Sequence, residues 1–139
     1  MSLYVLDTDT LTLFRMGHPP VTARVAAYAP SELAATVIRV EEQLSGWYSQ
    51  VRSNKPPAEL ARVYLRLADV VRFYSKVQIF DFTEAAILRY NALRVAKLNV
   101  GGMDLRIAAI ALENNATVVT RNVVDFQRIP GLLIEDWAA

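Results

Sequence analysis

The stretch Leu3-Tyr4-Val5-Leu6-Asp7-Thr8-Asp9-Thr10 decides how the chain is read. Four apolar residues run directly into a carboxylate, and a second carboxylate follows two positions later. An apolar run this short, next to turn-forming residues, is the pattern of a strand buried on both faces. Asp7 then stands where the strand stops and Asp9 where a helix begins. In open α/β sheets ligands bind outside the carboxyl ends of the strands, so the position itself points to a site. Two neighbouring acids there repel one another unless a positive charge lies between them.

Composition narrows what such a site can do. At 139 residues, 53% of them apolar and 21% charged, the chain suits one globular domain spanning 1–139 with a real core. No apolar run approaches the roughly 20 residues that span a bilayer, and the first residues lack a signal-peptide pattern, so a cytoplasmic location is expected. Cysteine is absent, which excludes disulfides, thiolate catalysis and cysteine-ligated zinc. The single histidine, His18, precedes Pro19-Pro20 in an expected loop, which disfavours histidine-based acid/base chemistry. Fifteen basic against fourteen acidic residues, net +1, leave no polybasic footprint. Hydrolytic chemistry would therefore rest on carboxylates and a metal held by oxygen ligands.

Working outward, Thr10 to Met16 suits a short helix ended by Gly17, and Val21 to Tyr28 has helical spacing. Leu33 to Ile38 reads as a second strand. The period then becomes helical from Arg39 to Val51, with Val40, Leu44, Trp47 and Val51 on one stripe. Pro56-Pro57 starts another helix carrying Leu60, Val63, Tyr64, Leu67, Val71 and Tyr74. These two helices predict a hairpin around 39–75. Val77 to Phe80 is a short strand, Thr83 caps a helix running to about Lys97, and Asp104 opens another. Thr117 to Thr120 is a buried strand and Leu132 to Ile134 an edge strand. Strands alternating with helices predict an α/β fold, a mostly parallel central sheet with helices on both faces.

Acids recur where these elements meet: Asp7, Glu42, Asp104 and Asp125. A hard ion such as Mg²⁺ takes oxygen ligands and keeps several waters, so acids drawn from separate elements suit it. Each has a plainer role. Asp7 suits a turn, Asp9 and Asp104 suit helix caps, and Glu42 and Asp125 suit solvated surface charges. Arg121 and Arg128 fit ion-pair partners of Asp125. Gly101-Gly102 suits a turn better than a phosphate loop.

Four blocks carry a family resemblance: Tyr4-Val5-Leu6-Asp7-Thr8-Asp9; Val37-Ile38-Arg39-Val40-Glu41-Glu42; Gly102-Met103-Asp104-Leu105-Arg106-Ile107-Ala108-Ala109; and Val118-Val119-Thr120-Arg121-Asn122-Val123-Val124-Asp125-Phe126. With the tail from Ile129 to Trp137, they lie in family order across nearly the whole chain. The chain resembles PIN-domain proteins of the VapC toxin class. The resemblance implies an endoribonuclease dependent on Mg²⁺ or Mn²⁺, commonly a homodimer, inhibited by a cognate VapB-like antitoxin. Carried over, it makes Asp7, Glu42, Asp104 and Asp125 the catalytic acids. Asp7, Asp104 and Asp125 hold the metal, with Glu42 ligating it or positioning water. Asp9, Thr120 and Asn122 support the site, and Arg121 and Arg106 are candidate RNA contacts. Two positions depart from the pattern. Glu41 fills a place usually held by a small residue and competes with Glu42, although the register favours Glu42. Arg39 stands where Thr or Ser is common.

Two rival readings stay open. The opening Asp-x-Asp-x-Thr also fits haloacid-dehalogenase-type phosphatases, with Asp7 as nucleophile. That family needs a lysine after the Thr120 position, and the last lysine is Lys97. The other rival is a non-catalytic binding module whose acids are structural. Trp47, Tyr48, Tyr64, Phe73 and Tyr74 give the hairpin more aromatic area than two helices need between themselves. Part of it is expected to face a partner.

Overall fold

The computed structural model describes residues 2–139. Five parallel strands form one sheet in the order β3-β2-β1-β4-β5, with β1 (Leu3–Leu6) at its centre. β1 pairs with β2 (Leu33–Thr36) on one side and with β4 (Ala116–Val119) on the other. β3 (Ile79–Phe80) and β5 (Leu133–Glu135) close the two edges. The chain leaves β1 toward β2 and β3, then returns to build β4 and β5 on the opposite flank. The carboxyl ends of β1 and β4 therefore flank a topological switch point, where the connections diverge and a crevice opens.

Alternation along β1 explains why both faces are covered. Val5 points into a core shared with α5 (Glu84–Val95) and α6 (Gly102–Glu113), where Ile107 to Ala111 are fully buried. Tyr4 and Leu6 point the other way. There they meet Leu11 of α1 (Thr8–Arg15), Val21 of α2 (Pro19–Ala26), and Val70 and Tyr74 of α4 (Pro57–Tyr74). The expected hairpin is α3 (Val37–Arg52) against α4. Its stripe holds on α3, where Val40, Leu44 and Trp47 pack onto this second core.

Several boundaries differ from the sequence reading. β2 ends at Thr36, not Ile38, because the Thr36 hydroxyl accepts the Arg39 backbone N–H and turns Val37 and Ile38 into the first helical turn. α1 begins at Thr8, with Asp7 rather than Asp9 in the capping position. α6 begins at Gly102, so Asp104 lies in its first turn and does not cap it. On α4 the buried side is Val63, Val70 and Tyr74, whereas Tyr64 and Val71 are more than half exposed. Val63 and Tyr74 belong to the expected stripe, whereas Val70 takes the buried place expected for Val71.

Candidate active site

Asp7 leaves the end of β1 with its backbone N–H still donating to Val119 O at 2.9 Å. This continues the β1–β4 ladder by one residue and aims the carboxylate into the crevice. Although buried, that carboxylate accepts four hydrogen bonds. Oδ1 receives the Thr8 N–H at 2.9 Å and Arg39 Nε at 2.6 Å. Oδ2 receives the Thr120 hydroxyl at 3.1 Å and Arg39 Nη2 at 3.3 Å. Hydrogen bonds from a charged donor are among the strong ones, so this many donors, two of them from Arg39, fix the carboxylate in place.

Arg39 is the hub. It lies in the first turn of α3, and its guanidinium binds three acids from three elements. Besides Asp7, Nη1 donates to Glu42 Oε1 at 2.9 Å and Nη2 to Asp104 Oδ1 at 3.0 Å. Only 12% of its side chain is exposed. Burial by itself would ease the proton off Arg39, but the hydrogen bond and charge of Asp7, and the charges of Glu42 and Asp104, outweigh it and tighten proton binding. The same ion pair does not lower the Asp104 pKa. Burial raises it, and the nearby charges of Asp7 and Asp125 reinforce the burial against Arg39's pull.

The fourth acid joins through an amide. Asn122 Nδ2 donates to Asp125 Oδ2 at 3.1 Å and to Asp104 Oδ2 at 3.4 Å, bridging α6 to α7 (Val123–Phe126). Asn122 is held in turn by its backbone N–H on the Thr120 hydroxyl at 3.0 Å. Thr120 thus links Asp7 to the Asn122 turn. Asp125 also pairs with Arg128 at 3.2 Å, one of the two partners considered for it.

The remaining candidates separate cleanly. Glu41 is exposed and forms none of the cluster's bonds, so the Arg39-facing acid is Glu42. Asp9 is a brace rather than a cap: Oδ1 accepts the Thr10 N–H at 2.6 Å and Oδ2 the Arg121 N–H at 3.2 Å, tying α1 to the loop after β4. The Arg121 side chain is exposed and makes no ion pair among the described residues, so it does not partner Asp125. Arg106 lies over the Tyr90 ring at 4.7 Å, and its Nη1 contacts Met103 Sδ at 3.7 Å. Among the described residues no three acids stand together as a metal-ligating group, and Arg39 bridges Asp7, Glu42 and Asp104. The sequence reading noted Arg39 only as a departure from the family pattern. The signal was its spacing: three residues before Glu42, it shares that acid's helical face.

No family model matches the chain. Among curated proteins it is 36% identical to a tRNA(fMet)-specific endonuclease VapC from Salmonella typhimurium, over 99% of each chain. The chain belongs to the VapC ribonuclease family. A ribonuclease VapC1 from Haemophilus influenzae is 30% identical over 97% of this chain and 98% of its own. Among solved structures, the DNA-bound VapBC complex of Salmonella typhimurium contains a chain with a TM-score of 0.78 and 27% identity, covering 99% of both chains. The VapC blocks quoted from the sequence are the segments that meet at the switch point. The phosphatase alternative lacks its lysine in space as well as in sequence, since no lysine bonds to the cluster among the described residues.

Proposed function

We propose that this chain is the ribonuclease of a toxin–antitoxin pair, cleaving RNA phosphodiester bonds at the Asp7, Glu42, Asp104 and Asp125 cluster with a bound Mg²⁺ or Mn²⁺. One observation carries the reading. Four acids from separated segments are linked at the switch point, three by the half-buried Arg39 guanidinium and the fourth through Asn122. The donor chemistry fits a hard divalent ion. The side chains present carboxylate, hydroxyl and amide oxygens with no sulfur or imidazole, and the guanidinium already stands in for a cation among them. Asp7, Asp104 and Asp125 would hold the ion, with Glu42 as a further ligand. When bound, such an ion lowers the pKa of a coordinated water and neutralises charge growing on the phosphate.

The chain's own residues supply the rest. Thr120 orients Asp7, and Asn122 keeps Asp104 and Asp125 facing one another. Glu42 is the most exposed acid of those bound to Arg39, its side chain 44% accessible, and is placed to take a proton from an attacking water. Arg121, exposed beside the site, is a phosphate contact of the positioning kind. An antitoxin is the proposed partner, consistent with VapBC neighbours. Its docking face, or that of a second copy, would lie on the hairpin where Tyr48, Tyr64, Leu65 and Val71 are exposed. No helix among the described residues is long and apolar enough to cross a membrane. A cytoplasmic location is part of the proposal, supported by its RNA substrate.

The test is cleavage of purified cellular RNA after chelation, then with Mg²⁺ or Mn²⁺ restored, with the cut ends mapped. Cleavage that returns only with metal supports the proposal. Cleavage undiminished by chelation sinks the metal assignment, and no cleavage under either condition sinks the ribonuclease reading.

A further inference from the structure

We infer that Arg39 is a resident counter-cation of the acid cluster that competes with the divalent ion, so that metal entry and Arg39 release are one event. The inference rests on the reading that this site takes a metal. Arg39 bonds to both carboxylate oxygens of Asp7 and to one oxygen each of Glu42 and Asp104. Those are the oxygens an ion would need. A guanidinium and a divalent ion cannot share them, both for want of space and because their charges repel.

Geometry also shows why Arg39 is there. Asp7 and Asp104 are largely shielded from water, with side chains 6% and 16% exposed. Unpaired, two such carboxylates would repel one another across a poorly solvated gap. Arg39 neutralises them before any ion arrives. It is anchored at the start of α3, where Thr36 accepts its backbone N–H, and its guanidinium also bonds to Glu42, the most exposed of its three acids. A long unbranched side chain can swing out by rotamer change without moving the helix. Once out, Arg39 stands beside the ion with no carboxylate to satisfy it, which suits it to meet a substrate phosphate.

The consequence is a metal affinity lowered by the fraction of molecules in which Arg39 is withdrawn. With Arg39 seated in nine molecules of ten or more, binding weakens about tenfold or more. The test is Mn²⁺ binding by calorimetry to the parent and to Arg39→Gln, which keeps a hydrogen-bonding amide on a shorter side chain and removes the charge. The expected result is binding to the variant at least about tenfold tighter than to the parent. Equal or weaker binding to the variant, with the parent still binding, overturns the inference and leaves the metal reading standing. No binding by either protein overturns both. Should the variant not fold, the parent alone decides. On titration with Mg²⁺, the Arg39 Nε–H resonance, protected by Asp7, should move to the position and exchange rate of an exposed arginine. A resonance that stays protected at saturating Mg²⁺ overturns the inference.

Discussion

Asp7→Asn is the perturbation whose outcome the site geometry specifies most fully. The substitution keeps shape and removes charge. Asp7 accepts four hydrogen bonds, two of them from Arg39. An asparagine oxygen can satisfy one side of the Thr8 and Arg39 pairings, but its NH₂ then faces a donor from Arg39 or Thr120. Removing one partner of a fully buried ion pair costs about 3–5 kcal/mol. Arg39 retains Glu42 and Asp104, and its residual exposure admits some solvent, so the expected loss is about half of that range, near 2 kcal/mol. For a domain of this length that lowers the melting temperature by about 7 °C. Loss of a charge stabiliser at the reacting centre should reduce RNA cleavage by on the order of a thousandfold. Circular dichroism melts and a cleavage time course on one RNA substrate read both effects. A variant that melts with the parent refutes the claim that the Asp7–Arg39 pair carries stability. One that cuts RNA at the parental rate removes Asp7 from the catalytic set.

Asp104→Asn should part company with it. Because the Asp104 pKa is raised, its ionisation weakens folding as pH climbs from the ordinary carboxylate value through the folded one. At neutral pH the amide should therefore melt no lower than the parent while cleavage is still lost. A melting temperature lowered as far as that of Asp7→Asn would contradict this. Thr120→Val removes the hydroxyl that joins Asp7 to the Asn122 N–H, leaving a buried carboxylate oxygen and a part-buried N–H each short of a partner. It should cost about 1–3 kcal/mol in denaturant titrations. Tyr74→Phe removes a buried hydroxyl that finds no partner among the described residues, and should raise stability by about 1 kcal/mol. Burial raises the Tyr74 pKa, so the phenol's contribution holds below pH 10 and fades as pH passes the folded value. The phenylalanine variant should lack that alkaline loss in a pH series of melts. Trp137→Ala empties a site where the indole stacks on Tyr28 at 5.5 Å and meets Tyr4 at 5.2 Å, and should cost about 3–5 kcal/mol by the same titration.

The parallel sheet was legible because its strands are short apolar runs set between helical periods, and Tyr4-Val5-Leu6 can only be covered from both sides. Element edges were less so. Ile38 was placed in a strand because Thr36, Val37 and Ile38 are β-branched, yet one hydroxyl at Thr36 starts a helix there. Local propensity loses to a cap when the cap also satisfies a backbone donor. The same competition moved the start of α1: Asp7 and Asp9 are equally good caps by type, and only the continuing β1–β4 ladder, with Asp7 N–H on Val119 O, decides between them.

The acids were legible as a set but not as an arrangement. Asp7 sits just past a strand end, Asp104 and Asp125 in first helical turns and Glu42 in the second turn of α3, and a doubly wound sheet brings such places to one edge. What spacing along the chain does not contain is the charge balance in that crevice. Four carboxylates there would oppose folding unless neutralised, and the neutralising group need not come from any motif that marks the acids. Arg39 supplies it from within a motif block. A neutral residue at 39 would leave the acids to be neutralised by a bound ion alone, making metal a condition of stability. With arginine there, the fold and the metal become separable, so the apo protein should melt only slightly below the metal-bound one. For Arg39→Gln the gap between apo and metal-bound melting temperatures should widen, since the acids then depend on the ion. A gap no wider than the parent's would show that the cluster is neutralised by something other than Arg39.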